Sequence, residues 1–248
     1  MVVRDTCPGC GSNRYKNNGH TRHGKQNHQC KTCGRPFTAN PLDRSIAPEQ
    51  RLRIEQLWRE RISLRGICRA VGVSLPWLLH LLVECFPACP DDLHVQLSAR
   101  PTAVVMSRLE AEADEMWSFV QKKANQQWIW IAMAAMTRQI MAFHGGDRSR
   151  ESGKELWTNM PLVYRAPATF YTDQYAVYTR VIPAEQHRAI MKHARKTNPI
   201  ERCNNTLRQR VSRLLRKTLS FSKKLANHIG AIRYFICHYN LTKAAFPV

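Results

Sequence analysis

The spacing of hydrophobic positions changes period along the chain. From Pro48 to Ile62, the apolar residues Ile54, Leu57, Trp58 and Ile62 recur at three- and four-residue intervals, which predicts an amphipathic helix. Ser63 stands where an N-cap belongs, and Leu64 to Ala70 predicts a second helix. Val71-Gly72-Val73-Ser74 supplies a turn glycine and another cap. Leu75 to Leu82 follows as a third helix, with Pro76 in its first turn, where proline is tolerated. Short helices joined by a glycine-bearing turn form a helix–turn–helix pattern. The third helix is apolar with His80 as its polar reader, so a partly structural or dimer-contact role stays open.

From about residue 110 the pattern becomes strand-like. Met116–Val120, Gln127–Met136 and Gln139–His144 are rich in Trp, Phe, Ile and Met, and Gly145-Gly146 ends the series, which predicts a meander. Arg150–Asn159 reads as a helix, Thr169–Thr172 as a strand ending at Asp173, and His187–His193 as another strand. A helix starts at Pro199 and runs past Leu215. A last one, Ser222–Tyr239, sets Leu225, Ile229, Ile232 and Ile236 on one face. Strands, a helix, a strand, then helices predict a mixed α/β domain around one central sheet. Residues 91–107 lack periodicity and contain Pro101, so a linker is expected there.

The first 45 residues have neither period, and cysteines take over. Cys7-Pro-Gly-Cys10 and Cys30-Lys-Thr-Cys33 are separated by a spacer near 20 residues. Two C-x-x-C knuckles at that distance bring four thiolates to one tetrahedral Zn²⁺, the grammar of a zinc ribbon. So short a segment buries too little apolar surface to fold unaided, and metal would supply the folding free energy. Gly9 and Gly34 fall where tight turns are expected. His20, His23 and His28 lie between the knuckles, but four cysteines already complete the shell. Cys85 and Cys89 have no second pair nearby, and Cys68, Cys203 and Cys237 read as small buried residues. The expected layout is therefore multidomain: zinc ribbon 1–45, all-α helix–turn–helix 46–90, linker 91–107 and α/β domain 108–248.

Charge adds a partner. The 248 residues carry 38 Lys or Arg against 18 Asp or Glu, a formal net charge of +20. Residues 1–106 hold a net +7 and residues 107–248 a net +13, so both halves are basic. Such an excess calls for a polyanion, and double-stranded DNA is the leading candidate. No apolar run approaches the roughly 20 residues of a membrane span. No signal sequence is read, so a cytoplasmic, nucleoid-associated protein without membrane contact is expected. From Arg195 to Lys224 there are ten Lys or Arg and one acid. Arg202, Arg208, Arg210, Arg213, Arg216 and Lys217 are expected to contact DNA phosphates.

That one acid is Glu201, in a helical first turn. Asp114 stands at the start of a strand and Asp173 at the end of another. Carboxylates so placed can converge on divalent metal, and hard oxygen ligands suit Mg²⁺ or Mn²⁺. Two such ions about 4 Å apart activate the attacking oxygen and stabilise the leaving oxygen of a phosphodiester. With side chains alternating along a strand, Glu112 and Asp114 share one face and Glu115 takes the other, so Glu112 is the fallback for Asp114. Asp147 and Glu151, flanking Arg148 and Arg150, read as solvated pairs. His193 reads as structural, and Trp117, Trp128 and Trp130 read as core.

Three segments carry a family resemblance. Glu112-Ala113-Asp114-Glu115-Met116-Trp117, Tyr171-Thr172-Asp173-Gln174-Tyr175 and Ile200-Glu201-Arg202-Cys203-Asn204-Asn205 resemble the three acidic motifs of the insertion sequence 1 family of transposases. The run from Leu207-Arg208-Gln209-Arg210 to Leu219-Ser220-Phe221-Ser222-Lys223 is also similar. The resemblance implies an RNase H-like catalytic domain of the Asp-Asp-Glu type, with Asp114, Asp173 and Glu201 as metal ligands. It implies a phosphate contact at Arg208, two helical turns beyond Glu201. The function it implies is a transposase that binds the terminal inverted repeats, cleaves DNA strands and joins them to target DNA. Such an enzyme would act as a homodimer or larger assembly holding two ends. A regulator made of ribbon and helix–turn–helix without catalysis, and a structure-specific nuclease that never joins strands, are the alternatives.

Overall fold

The computed structural model describes residues 4–22, 24–39, 46–60, 62–96, 109–190, 198–211, 214 and 222–245. The chain divides into two compact units, residues 1–52 and 53–248. Among the described residues no single helix is long and apolar enough to cross a membrane.

The first unit is built on an antiparallel sheet of β1 (Tyr15–His20), β2 (Gln26–Cys30) and β3 (Pro36–Thr38). Its apolar content is small: Cys7, Cys30 and Phe37 are buried and Tyr15 packs on them. Tyr15 meets Phe37 edge-on at 5.3 Å and His28 at 4.9 Å. His28 is thereby a ring-packing residue, His20 is exposed, and His23 lies outside the described residues.

Helix α1 (Pro48–Arg59) is followed in the second unit by α2 (Leu64–Val71) and α3 (Leu75–Glu84). The predicted caps are in place. Ser63 Oγ accepts from the Gly66 N–H at 3.0 Å, and Ser74 Oγ from the Trp77 N–H at 3.4 Å. Gly72, at φ 74°, ends α2 and donates its N–H to the Cys68 carbonyl at 2.9 Å. The axes of α2 and α3 turn by 109° at this break, within the range of helix–turn–helix pairs. Ile54, Trp58, Ile67, Leu78, Leu81 and Leu82 bury their side chains.

A five-stranded sheet follows, from β4 (Glu110–Phe119), β5 (Gln126–Ala134), β6 (Ile140–Gly146), β7 (Thr169–Thr172) and β8 (His187–Ala189), in spatial order β6-β5-β4-β7-β8. The first three strands are an antiparallel meander, while β7 lies parallel to β4 and β8 parallel to β7. Helices α4 (Arg150–Asn159), α5 (Leu162–Arg165) and α6 (Ala176–Val181) cover one face, and α7 (Asn198–Arg210) and α8 (Leu225–Ala245) cover the other. The strand period decides which residue faces which layer. Met116, Ile129, Ile131 and Met133 pack against Ile200, Cys203 and Leu207 of α7 and Ile232 and Ile236 of α8. Ala111, Ala113, Trp130 and Ala132 pack against Leu156, Tyr164 and Tyr178 on the opposite side.

Several elements differ from the sequence reading. The strand expected from Met116 begins six residues earlier, at Glu110, because acidic residues mask its period. Helices α5 and α6 were not predicted, being four and six residues long. The helix from Pro199 is described as Asn198–Arg210, and residues 212–213 and 215–221 of its expected continuation lie outside the described residues; the last helix runs to Ala245. The expected linker 91–107 is described as far as Gln96, and in this part Leu93 and Val95 pack on the core while the other four residues are exposed. Leu93 is 4% exposed within the core, its carbonyl accepts from Asn240 Nδ2 at 2.8 Å, and Asp91 pairs with Arg233. Asn240 explains the tie, since its Oδ1 also accepts the Ile140 N–H at 2.8 Å, so one buried amide serves both segments. Helix α1 reaches the same last helix: Tyr234 Oη donates to Glu55 Oε2 at 2.6 Å and stacks on Trp58 at 4.7 Å.

Candidate functional site

Two groups of ligand-type side chains stand out, one in each unit. In the first, the two C-x-x-C knuckles close on each other. Cys7 Sγ lies 3.6 Å from Cys33 Sγ, and Cys10 Sγ lies 3.6 Å from Cys30 Sγ. All four sulfurs sit within 4.8 Å of one another, and among the described residues no other group of three or more His, Cys, Asp and Glu does this. Four thiolates at the usual Zn–S length of about 2.3 Å stand roughly 3.8 Å apart, so the quartet can hold a zinc ion. Backbone N–H groups aim at the sulfurs: Gly9 to Cys7 Sγ and Thr32 to Cys30 Sγ, both at 3.4 Å. The Cys33 N–H, the largest influence, holds the Cys30 thiol down at about 6. The turn glycines need one correction. Gly11 and Gly34 carry the left-handed conformation, at φ 71° and 72°. Gly9 matters for space instead, since a Cβ there would stand 2.8 Å from Arg35 Cδ.

The second group lies where β4, β7 and α7 meet. In the parallel pairing, Glu112 lies opposite Tyr171. Asp114 lies two residues further along β4, and Asp173 directly follows Thr172, the last residue of β7. Helix α7 is tied to β4 at two points. The Ile200 N–H donates to Glu112 Oε2 at 2.9 Å, and Asn204 Nδ2 donates to Asp114 Oδ2 at 2.7 Å. Glu201 sits between these ties and is exposed, as is Asp173. Burial pushes Asp114 up to about 7, and the charges of Glu115, Asp173 and Glu201 add to the shift. The three predicted carboxylates therefore share one electrostatic neighbourhood.

Glu112 and Asp114 face α7, and Glu115 faces the other layer. Glu112 is only 2% exposed, and its other oxygen receives Arg138 Nη1 at 3.2 Å. With one oxygen bound to the first turn of α7 and the other to a guanidinium, it acts as a helix anchor. Glu115 is bound by Arg148 at 2.7 Å and by Tyr178 Oη at 2.7 Å. The Arg148 guanidinium is sandwiched between Trp128, at 4.5 Å, and Tyr175, at 4.2 Å. Tyr175 in turn donates its N–H to Asp173 Oδ1 at 2.9 Å.

Sequence reasoning missed this assembly. Arg148 was expected to pair in solvent with Asp147 or Glu151. Its partner is instead 33 residues away in sequence, and Asp147 accepts from Ser149 and Ser152. Trp130 is core as expected, but Trp128 serves as a stacking surface for Arg148.

The cations of α7 divide between two faces. Arg208 lies two turns along from Glu201 and is half-buried. Arg202 and Arg210 line a cleft of about 600 Å³ together with Arg138 and Lys243, and Arg210 also pairs with Glu60 at 3.2 Å. Arg213, Arg216, Lys217 and His193 lie outside the described residues.

Comparison with known proteins bears on residues in this second unit. The family described as IS1 transposase matches residues 107–241. The insertion element iso-IS1n protein InsB of Shigella dysenteriae is 37% identical over 128 residues, covering 52% of this chain and 94% of that protein. The insertion element IS1 protein InsB of Shigella flexneri is 34% identical over 131 residues, covering 52% of this chain and 96% of that protein. Among solved structures, a chain of the simian T-cell lymphotropic virus intasome in complex with PP2A regulatory subunit B56 gamma aligns over 72% of this chain and 66% of its own, at 10% identity and a TM-score of 0.38.

Proposed function

The chain belongs to the IS1 transposase family, and from that premise we propose that it binds the terminal inverted repeats of its insertion sequence, cleaves DNA strands there and transfers them to target DNA. The observation that supports this reading is that Asp114 on β4 feels the charges of Asp173, just past β7, and of Glu201, while two hydrogen bonds tie α7 to β4. The strand order, a three-stranded meander continued by two parallel strands, supports an RNase H-like domain over residues 108–248.

The donor set fits a hard divalent cation. Three carboxylates, on β4, just past β7 and on α7, offer oxygen ligands, and their mutual repulsion, felt at Asp114, falls when positive charge enters. Asp114, Asp173 and Glu201 would hold two Mg²⁺ or Mn²⁺. Those ions would supply activation of the attacking oxygen, first of water and then of a 3′-hydroxyl, and stabilisation of the leaving oxygen. Arg208, on nearly the same face of α7 as Glu201, would orient a DNA phosphate. Arg202, Arg210, Arg213 and Lys217 would hold the backbone nearby. Ribbon 1–45, with Zn²⁺ on Cys7, Cys10, Cys30 and Cys33, and helices 46–90 would select the repeat. Residues 91–107 would connect them to the catalytic domain. Pairing two ends calls for a homodimer or larger assembly.

The deciding experiment is a strand-transfer assay with Mg²⁺ on a duplex ending in the inverted repeat. Wild-type protein is expected to cut and join, and Asp173→Asn to do neither while binding the same duplex. A wild type that binds but neither cuts nor joins refutes the enzyme, and an active Asp173→Asn refutes the site.

A further inference from the structure

Asn204 is 4% exposed and lies one turn after Glu201 on α7. Its Nδ2 donates to Asp114 Oδ2 at 2.7 Å, while its Oδ1 is buried with no hydrogen-bond partner. The assignment of the amide follows from charge: turned over, it would set its oxygen against a carboxylate oxygen. A buried amide oxygen left without a donor costs free energy on the order of 1–3 kcal/mol, so such an atom calls for a reason. Hydration of an ordinary surface amide cannot supply one here. The other end of the same amide is bound to Asp114, and Glu201 and Asp173 both act on Asp114. A lone-pair oxygen on an amide tied to this carboxylate group gains a partner if a cation enters the group. Amide oxygens are accepted ligands of hard divalent cations, on a par with carboxylates in type though without their charge.

We propose that Asn204 completes the carboxylate centre. Its Nδ2 fixes the orientation of Asp114, and its Oδ1 is a fourth protein oxygen offered to the divalent cation. The inference rests on the metal-dependent reading of Asp114, Asp173 and Glu201, and it adds a neutral ligand. A neutral oxygen strengthens the grip on the cation without adding to the repulsion among three acids already crowded together.

The test measures Mn²⁺ binding to the full-length protein by electron paramagnetic resonance, alongside thermal melting and duplex binding without metal. Asn204→Ala is expected to weaken Mn²⁺ binding about 10- to 100-fold, the range found when groups supporting a metal site are removed. Metal-free duplex binding should stay as in wild type. Asn204→Asp keeps the Oδ1 and exchanges the donor nitrogen for a second oxygen, and should retain most of the affinity at pH 8. If Asn204→Ala melts early, Asn204→Ser, which shortens the side chain but keeps it polar, replaces it with the same weakening expected. Asn204→Ala or Asn204→Ser binding Mn²⁺ like wild type, while Asp173→Asn loses it, overturns the role of Asn204 alone. Wild type failing to bind Mn²⁺ at all overturns the underlying reading of the centre.

Discussion

The cysteine quartet and the carboxylate group answer the same problem, gathering side chains of like charge, in opposite ways. The quartet is closed: all four sulfurs lie within 4.8 Å and backbone N–H groups point at them. The sheet around it buries little else, so binding and folding are one event there. The carboxylates are spread over β4, the residue after β7 and α7, with Asp173 and Glu201 exposed, and two layers of apolar packing hold those elements. A closed shell with no core suits structure, while an open set on a rigid frame suits a cation that must also meet substrate. The teaching is that ligand type alone does not separate the two roles, whereas what holds the ligands in place does.

The largest effect expected tests the closed side. Cys30→Ser should drop zinc from one per chain to none, read by elemental analysis, and abolish the ordered signals of β1–β3. Structural zinc in small modules carries on the order of 10 kcal/mol of folding free energy, so partial retention is not expected. Unchanged zinc content would falsify the quartet. Next, Glu201→Gln should lower cleavage and joining by on the order of 10²–10³-fold, the scale seen when one electrostatic group leaves a reacting centre. Its urea unfolding midpoint should hold, because Glu201 is exposed and no apolar contact depends on it. A lowered midpoint would show that the frame needs its ligands after all.

Arg148→Ala should cost about 2 kcal/mol in urea unfolding. Breaking a buried ion pair costs roughly 3–5 kcal/mol, and the figure is reduced here because Arg148 is 43% exposed while Glu115 is 2%. Adding Glu115→Gln should recover part of the loss, and no recovery would assign the effect to the Trp128 and Tyr175 stack instead. A smaller effect is in pH. The folded state raises Asp114 from 3.8 to about 7, so in metal-free protein the proton favours folding. Its contribution to stability is present below about pH 4 and fades as pH rises through 7. Glu112 and Glu115 are raised by burial and act in the same sense. Asp114→Asn should therefore flatten, without abolishing, the fall of melting temperature between pH 4 and 8. An unaltered slope would remove Asp114 from the shared electrostatic group. Least of all, Arg210→Ala should change stability by under about 1 kcal/mol, since its pair with Glu60 is exposed on both sides.

What the sequence shows well is local. The knuckle spacing, the caps Ser63 and Ser74 and the turn at Gly72 each depend on neighbours a few residues away, and each is found where expected. Strand β4 shows the opposite case. Glu110, Glu112, Asp114 and Glu115 interrupt its apolar period, so its first half looks like a surface segment although it is the middle strand of the sheet. The acids that make the site interesting conceal the strand that carries it. Arg148, Arg138 and Asn204 could not be read because their partners lie 33, 26 and 90 residues away. A carboxylate seen in sequence does not say whether it will meet a guanidinium, a helix end or open water.

The bond from Ile200 to Glu112 has a consequence in time. Its partners are 88 residues apart, so a chain emerging from the ribosome makes the β4 carboxylates long before the helix that completes them. At synthesis rates of 5–20 residues per second, the interval is roughly 4–18 s. A chain cut short before α7 has Asp114 and Asp173 but not Glu201. Truncated products therefore lack the complete trio of acids, and the assembled trio belongs only to chains whose synthesis has passed residue 201.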